Sequence, residues 1–156
     1  MMSDYDHKLA SFTIKKILVP FDNSSHASRA FGHALDLARK FGASIIVVSV
    51  IQEAFKKDWV NDTPTREKNM SKNSRIILRE GIKELQKQAQ KSNIGIEQEI
   101  ITSWSVAESI IAFISSKKID YVVMGTRGKG MQKEMMLGRV STSVALNANC
   151  PVVLVK

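Results

Sequence analysis

Cysteine occurs once in the 156 residues, at Cys150, so no internal disulfide can form and a cross-linked secreted scaffold is excluded. A reducing cytoplasm suits such a chain. No stretch approaches the ~20 apolar residues that span a bilayer. The start, Met1-Met2-Ser3-Asp4-Tyr5-Asp6-His7, lacks the basic opening and apolar run of a signal peptide. Histidine is scarce too, and His7, His26 and His33 form no metal-ligand cluster. Acidic residues are few against basic ones, 15 to 23, which leaves a net charge of +8 and a pI near 9.7. That excess favours acidic partners, whether phosphates, nucleic acid or anionic lipid, without choosing among them. The remaining composition, 44% apolar and 24% charged, is ordinary for a soluble globular chain of one domain.

Periodicity divides the chain into alternating elements. After a polar leader over residues 1–13, Ile14 to Pro20 is a buried strand that Pro20 stops. Ala27, Ala30, Phe31, Ala34, Ala38 and Phe41 recur three and four apart on one helix face, and Gly42 ends that helix. Ser44 to Ile51 is almost wholly β-branched, as in a strand covered on both faces. Residues 52–66 are polar and read as a loop. A long helix is predicted from about Glu67 to Lys91, burying Met70, Ile77, Leu78 and Leu85. Ile96 to Ile101 carries two glutamates and suits a sheet edge. Ser105 and Glu108 form a capping-box signature before a third helix. Asp120 to Met124 is a short buried strand, a glycine-rich loop runs from Gly125 to Gly138, a last helix covers about Arg139 to Asn147, and Pro151 to Val155 is a final strand. Five strands alternating with four helices predict a doubly wound α/β fold, a parallel sheet sandwiched by helices, over residues 14–156.

Ligands of such sheets sit beyond the carboxyl ends of the strands, where strand order reverses. The segments at those ends are Pro20-Phe21-Asp22-Asn23-Ser24 and Gly125-Thr126-Arg127-Gly128-Lys129-Gly130. Glycine lets backbone approach a phosphate, and a helix N-terminus offers free N–H groups with a positive dipole end. Familiar alternatives fail on particular residues. Gly130 is followed by Met131-Gln132 and not by the Gly-Lys-Ser/Thr ending of a Walker A loop; no glycine follows the first strand, as a dinucleotide fingerprint requires; and a phospho-accepting receiver domain wants an aspartate where Thr102-Ser103 stand.

Gly125-x2-Gly128-x9-Gly138 resembles the nucleotide-binding signature of the universal stress proteins, G-x2-G-x9-G followed by Ser or Thr. The likeness continues in Ile17-Leu18-Val19-Pro20-x-Asp22-x-Ser24 and in Cys150-Pro151-Val152-Val153-Leu154-Val155, leaving out only the leader and residues 52–66. It implies a Rossmann-like sheet of strand order 3-2-1-4-5 and an adenine nucleotide, ATP foremost, with or without Mg. It places adenine against the backbone of Val50. Asp22 and Gly125 would lie near the ribose, or Asp22 would hold a water of a phosphate-bound Mg. The phosphates would lie over Arg127, Gly128, Gly138, Arg139, Val140 and Ser141, with Pro20, Phe21 and Met124 completing the site. It further implies a homodimer through the last strand. Two residues depart from the pattern: Arg139 stands where the hydroxyl residue is expected, and Trp104 where glycine is common. A guanidinium can meet phosphate bidentately, and Ser141 and Thr142 remain nearby as hydroxyl donors.

Plainer roles compete for several of these residues. Asp22 could cap the first helix together with Ser24, and Gly128 and Gly130 could merely shape a surface loop. Met131, Met135 and Met136 read as packing, and Cys150 as a small buried residue with no triad-like partners. Lys68, Lys72, Arg75, Arg79, Lys83, Lys87 and Lys91 follow one side of the second helix, seven charges against three glutamates; a solvated face explains them better than nucleic acid, since no recognition motif accompanies them. The expected function is a regulatory ATP-binding module of the stress response. The alternatives are a weak ATPase or phosphotransferase, for which Asp22 is the sole candidate base, and a nucleic-acid-binding basic protein.

Overall fold

The computed structural model describes residues 12–53, 64–128 and 137–156, with backbone alone for 64–70. Most of the leader, with His7, the segment 54–63, residues 129–136 with their methionines, and the side chains of Lys68 and Met70 therefore lie outside the described residues. In chain order the elements are β1 Lys16–Pro20, α1 Ser25–Phe41, β2 Ser44–Gln52, α2 Pro64–Lys91, β3 Ile96–Ser103, α3 Val106–Ser116, β4 Tyr121–Gly125, α4 Arg139–Asn147 and β5 Val152–Val155. All neighbouring strands are parallel, in the order β3-β2-β1-β4-β5. Strand order thus reverses between β1 and β4, the crevice in which sheets of this kind take their ligands.

Alternating side chains of the strands feed two cores. On one face, Ile17, Val19, Ile45, Val47 and Val123 meet the alanine-lined side of α1 around Phe31, together with Ile82, Leu85 and Ala89 of α2. On the other, Leu18, Ile46, Val48, Val122 and Met124 meet Ile110, Phe113 and Ile114 of α3 and Val144 of α4. Small residues along α1 bring its axis close to the sheet, and each fully buried Ile, Leu or Phe contributes roughly 1.5–3 kcal/mol by leaving water. At the start of the sheet the Asp120 carboxylate accepts the backbone N–H groups of Lys15 and Lys16 at 3.1–3.3 Å, which locks β1 against β4.

Several boundaries differ from expectation. β1 begins at Lys16 and not at Ile14, although Ile14 is buried. The polar stretch after β2 is shorter than predicted: β2 runs through Gln52, and α2 starts at Pro64, whose fixed φ and missing N–H cost nothing at a first helical position. Ile77 is not buried but 48% exposed. The stripe that α2 presents to the sheet is Leu78, Ile82, Leu85 and Ala89, spaced four, three and four, and Ile77 lies about 100° around the helix from it. Of the basic residues on α2, Lys72, Arg79, Lys83, Lys87 and Lys91 are exposed. Arg75 is different, because its guanidinium donates to Thr102 Oγ1 at 2.6 Å and ties α2 to the end of β3. Cys150 is half-buried, and burial, with the Asp120 charge second, raises its thiol above the ordinary range.

Candidate functional site

At the end of β1 the chain leaves the sheet through two anchors. Phe21 N–H donates to Val48 O at 2.8 Å, and the buried Ser49 hydroxyl donates to Phe21 O at 2.6 Å. Asn23 then adopts φ 66°, a left-handed conformation that Asn tolerates, and turns the chain into α1. The helix cap is Ser24, whose Oγ accepts Ala27 N–H at 3.1 Å. Asp22 stands two residues earlier, with Oδ1 accepting Ser24 N–H at 3.0 Å, so its carboxylate is held at the mouth of the crevice and is not the cap.

The end of β4 is built from close approaches. A Cβ on Gly125 would stand 2.7 Å from His26 Cβ and 3.0 Å from Ala27 N, so only glycine lets β4 pass the first turn of α1. Thr126, itself buried, joins three elements: its N–H donates to Val155 O at 2.9 Å, and its carbonyl accepts Gly138 N–H at 2.7 Å and the Ser141 hydroxyl at 3.0 Å. Its own hydroxyl lies 3.4 Å from His26 Nδ1, outside the cavity wall, whereas His33 is exposed. Gly138 is the N-cap of α4 and supplies no side-chain acceptor. The N–H groups of Arg139, Val140 and Ser141 therefore end the helix without intrahelical acceptors, beside the positive end of its dipole.

Ser141 and Thr142 correct one expectation. Their hydroxyls do not stand as spare donors: Ser141 Oγ donates to Thr126 O and Gly138 O, and Thr142 Oγ1 to Gly138 O at 2.8 Å. Both hold the turn at the start of the helix, and the donors left at this end of the cavity are main-chain N–H groups and the arginines.

All twelve residues singled out from the sequence line one cavity of about 630 Å³: Pro20, Phe21 and Asp22 from the end of β1, Val50 from β2, Met124, Gly125, Arg127 and Gly128 from β4 and its loop, and Gly138 to Ser141 from the start of α4. Ala27, Val48, Gln52, Val106 and Ile110 complete the wall. The strand period could have found Val48 and Gln52, which flank Val50 at steps of two, and the helix period pairs Val106 with Ile110.

The cavity has two chemically distinct ends. One is apolar, between Val48 and Val50 on the sheet, Val106 and Ile110 on α3, and Met124. The parallel ladder also turns main-chain groups toward this end. Val48 O faces β1 while Glu53 N–H donates to Ser103 beside β3, so by alternation Val50 N–H and C=O face the β1 side, where β1 has already ended at Pro20. The other end gathers Arg127, Arg139, the uncapped start of α4 and the Asp22 carboxylate. Gly128 lies against Asp22, and a Cβ there would come within 2.8 Å of Asp22 Oδ2. Such a surface can take an elongated ligand with an apolar, hydrogen-bonding head and an anionic tail. Among the described residues no group of three or more His, Cys, Asp or Glu side chains could hold a metal ion, and no helix is long and apolar enough to cross a membrane.

Known proteins share this framework. A universal stress protein of Methanocaldococcus jannaschii is 32% identical over 145 residues, covering 91% of this chain and 82% of the relative. Among solved structures, the universal stress protein UspA of Lactobacillus plantarum superposes with a TM-score of 0.80 at 20% identity, over 92% of this chain and 99% of that one. More distant structures of the same fold were solved with nucleotides: a universal stress protein of Archaeoglobus fulgidus in complex with dAMP (TM-score 0.65, 19% identity, 93% and 99% covered) and an Arabidopsis thaliana family member with AMP bound (TM-score 0.66, 19% identity, 91% of each chain covered). The family model for the universal stress protein family matches residues 13–156, and the chain belongs to that family.

Proposed function

We propose that the chain is a regulatory module that binds ATP or another adenine nucleotide, with slow or no turnover. The observation that carries this reading is the joining, in one cavity, of an apolar slot edged by unpaired strand backbone to an uncapped helix N-terminus flanked by two arginines. Adenine occupies the slot, with Val50 N–H donating to the ring and Val50 C=O accepting from the 6-amino group. The ribose lies near Asp22 and Gly125. The phosphates meet Arg127, Gly128 and the first-turn N–H groups of Arg139, Val140 and Ser141. Arg139 takes over from the family hydroxyl as a charge-assisted donor. Magnesium would be carried by the phosphates, with Asp22 reaching it through water, since among the described residues the cavity lining offers one carboxylate and no ready-made cation cage.

Fast hydrolysis needs a base that orients water at the terminal phosphate, and among the described lining residues Asp22 alone has that chemistry. Binding without fast turnover fits better, with bound nucleotide changing stability or partner choice in the stress response. The single cysteine suits a cytoplasmic setting. The edge strand β5 suits a homodimer. Titration calorimetry and thermal melting with ATP, AMP, cyclic AMP and a short oligonucleotide test the proposal. Saturable heat and a rising melting temperature with adenine nucleotides are expected; no response to any of them at millimolar concentration, or a response to the oligonucleotide alone, overturns it.

A further inference from the structure

Among the described residues, the apolar end of the cavity has one polar side chain in its wall, Gln52. Val48, Val50 and Gln52 are alternate residues of β2, so their side chains share the sheet face that looks toward α3. Where Val48 and Val50 form an apolar floor, Gln52 replaces a hydrocarbon with a primary amide at its exposed rim. A side-chain amide has two unlike ends, and here its direction is fixed. Gln52 Nε2 donates to the carbonyl of Trp104 at 3.2 Å, between the end of β3 and the Ser105 cap of α3. A carbonyl can only accept, so the Nε2 end must face Trp104 and Oε1 is left as an oriented acceptor on the other limb of the amide.

We propose that Gln52 is a specificity residue for the base, its Oε1 accepting the second hydrogen of a purine 6-amino group whose first hydrogen goes to Val50 C=O. This inference rests on the adenine-nucleotide reading of the cavity and adds to it a preference for 6-aminopurines over purines without that group. The physical basis is an asymmetry: a ligand lacking the amino group leaves Oε1 facing the base with no donor, while the Trp104 carbonyl prevents the amide from turning its N–H end inward. Trp104, where the family pattern often has glycine, acts here through its main chain, as the clamp on Gln52.

The test compares ATP with purine riboside triphosphate, which differs only in lacking the 6-amino group, by calorimetry on the wild-type protein, Gln52→Leu and Gln52→Glu. Because each variant is measured with both ligands, a general loss of affinity or stability cancels in the ratio of dissociation constants. Gln52→Leu should shrink the preference for ATP by roughly threefold to tenfold, the scale of one hydrogen bond. Gln52→Glu keeps an acceptor but cannot donate to the Trp104 carbonyl, so it should lose much of the preference as well. An unchanged ratio in Gln52→Leu, with ATP still bound, overturns the role of Gln52 and leaves the nucleotide site standing. Failure of wild-type protein to bind either triphosphate instead overturns the nucleotide reading, and this inference with it.

Discussion

Gly125 and Gly128 belong to one motif and do different work. Gly128 is exposed, its φ is not in the left-handed region, and its missing Cβ leaves room beside Asp22 Oδ2. A branched side chain there fills the arginine-lined end of the cavity without touching the core. Gly128→Val should therefore abolish the calorimetric signal for ATP while shifting the melting temperature by no more than a few degrees, the usual scale of a surface change of under ~0.5 kcal/mol. Undiminished ATP affinity in this variant would remove the loop from the site. The spacing of the glycines and the Asp22 segment makes the residues of the arginine-lined end of the cavity legible in sequence. Gln52 escaped notice because glutamine at a strand end carries no motif, and its amide gains direction only from the Trp104 carbonyl, 52 residues away. The hydroxyls of Ser141 and Thr142 were misjudged for a related reason: which acceptor a hydroxyl faces depends on how the turn at Gly138 closes.

At the scale of elements, the approach of β4 to α1 is set at Gly125. The atoms that a new methyl would strike are the Cβ and backbone of the helix start, not the tip of a flexible side chain, so the helix or the strand must move. Gly125→Ala should cost about 1–3 kcal/mol in urea unfolding. Any loss of nucleotide affinity would then follow from displacement of α1 and Asp22; unfolding at the wild-type midpoint would refute this packing role. Element types followed from period alone: alanines at helical spacing for α1, β-branched runs for β2, and a cap at each of Ser24 and Ser105. Where period misled, as at Ile77, an apolar pair on a helix offered two neighbouring stripes, and only the position of the sheet decided which one was covered. The start of α2 was missed because the polar stretch before it has no apolar pattern to announce a helix.

For the whole molecule, the excess of positive charge has two homes. Part lies at the arginine-lined end of the cavity, in Arg127 and Arg139; part lies along α2, where the described lysines are exposed and Arg75 is engaged with β3. The strand order, and with it the crevice between β1 and β4, could be expected only through the family resemblance, because alternation of strands and helices is compatible with several orders. The sheet ends at β5, which pairs with β4 along one side and carries half-buried Val152, Val153 and Leu154, while Leu146 on the adjoining α4 is 78% exposed. An apolar edge of this kind favours pairing with a second copy. Light scattering at micromolar concentration should report a dimer, and Val153→Lys a monomer; a monomeric wild-type protein would count against the edge as an interface.

Thr126 gives this edge a thermodynamic consequence. Its N–H holds the last residue of β5 and its carbonyl holds the cap of α4, so one residue joins the sheet edge to the helix start that lines the cavity. Were β5 to pair with a second copy and the cavity to hold a nucleotide, coupling through this residue would work in both directions: whatever factor association contributed to nucleotide affinity, nucleotide would return to association. The apparent dissociation constant for ATP would then vary with protein concentration across the monomer–dimer transition, and a cell could read its adenylate level as a change in how much of this protein is paired.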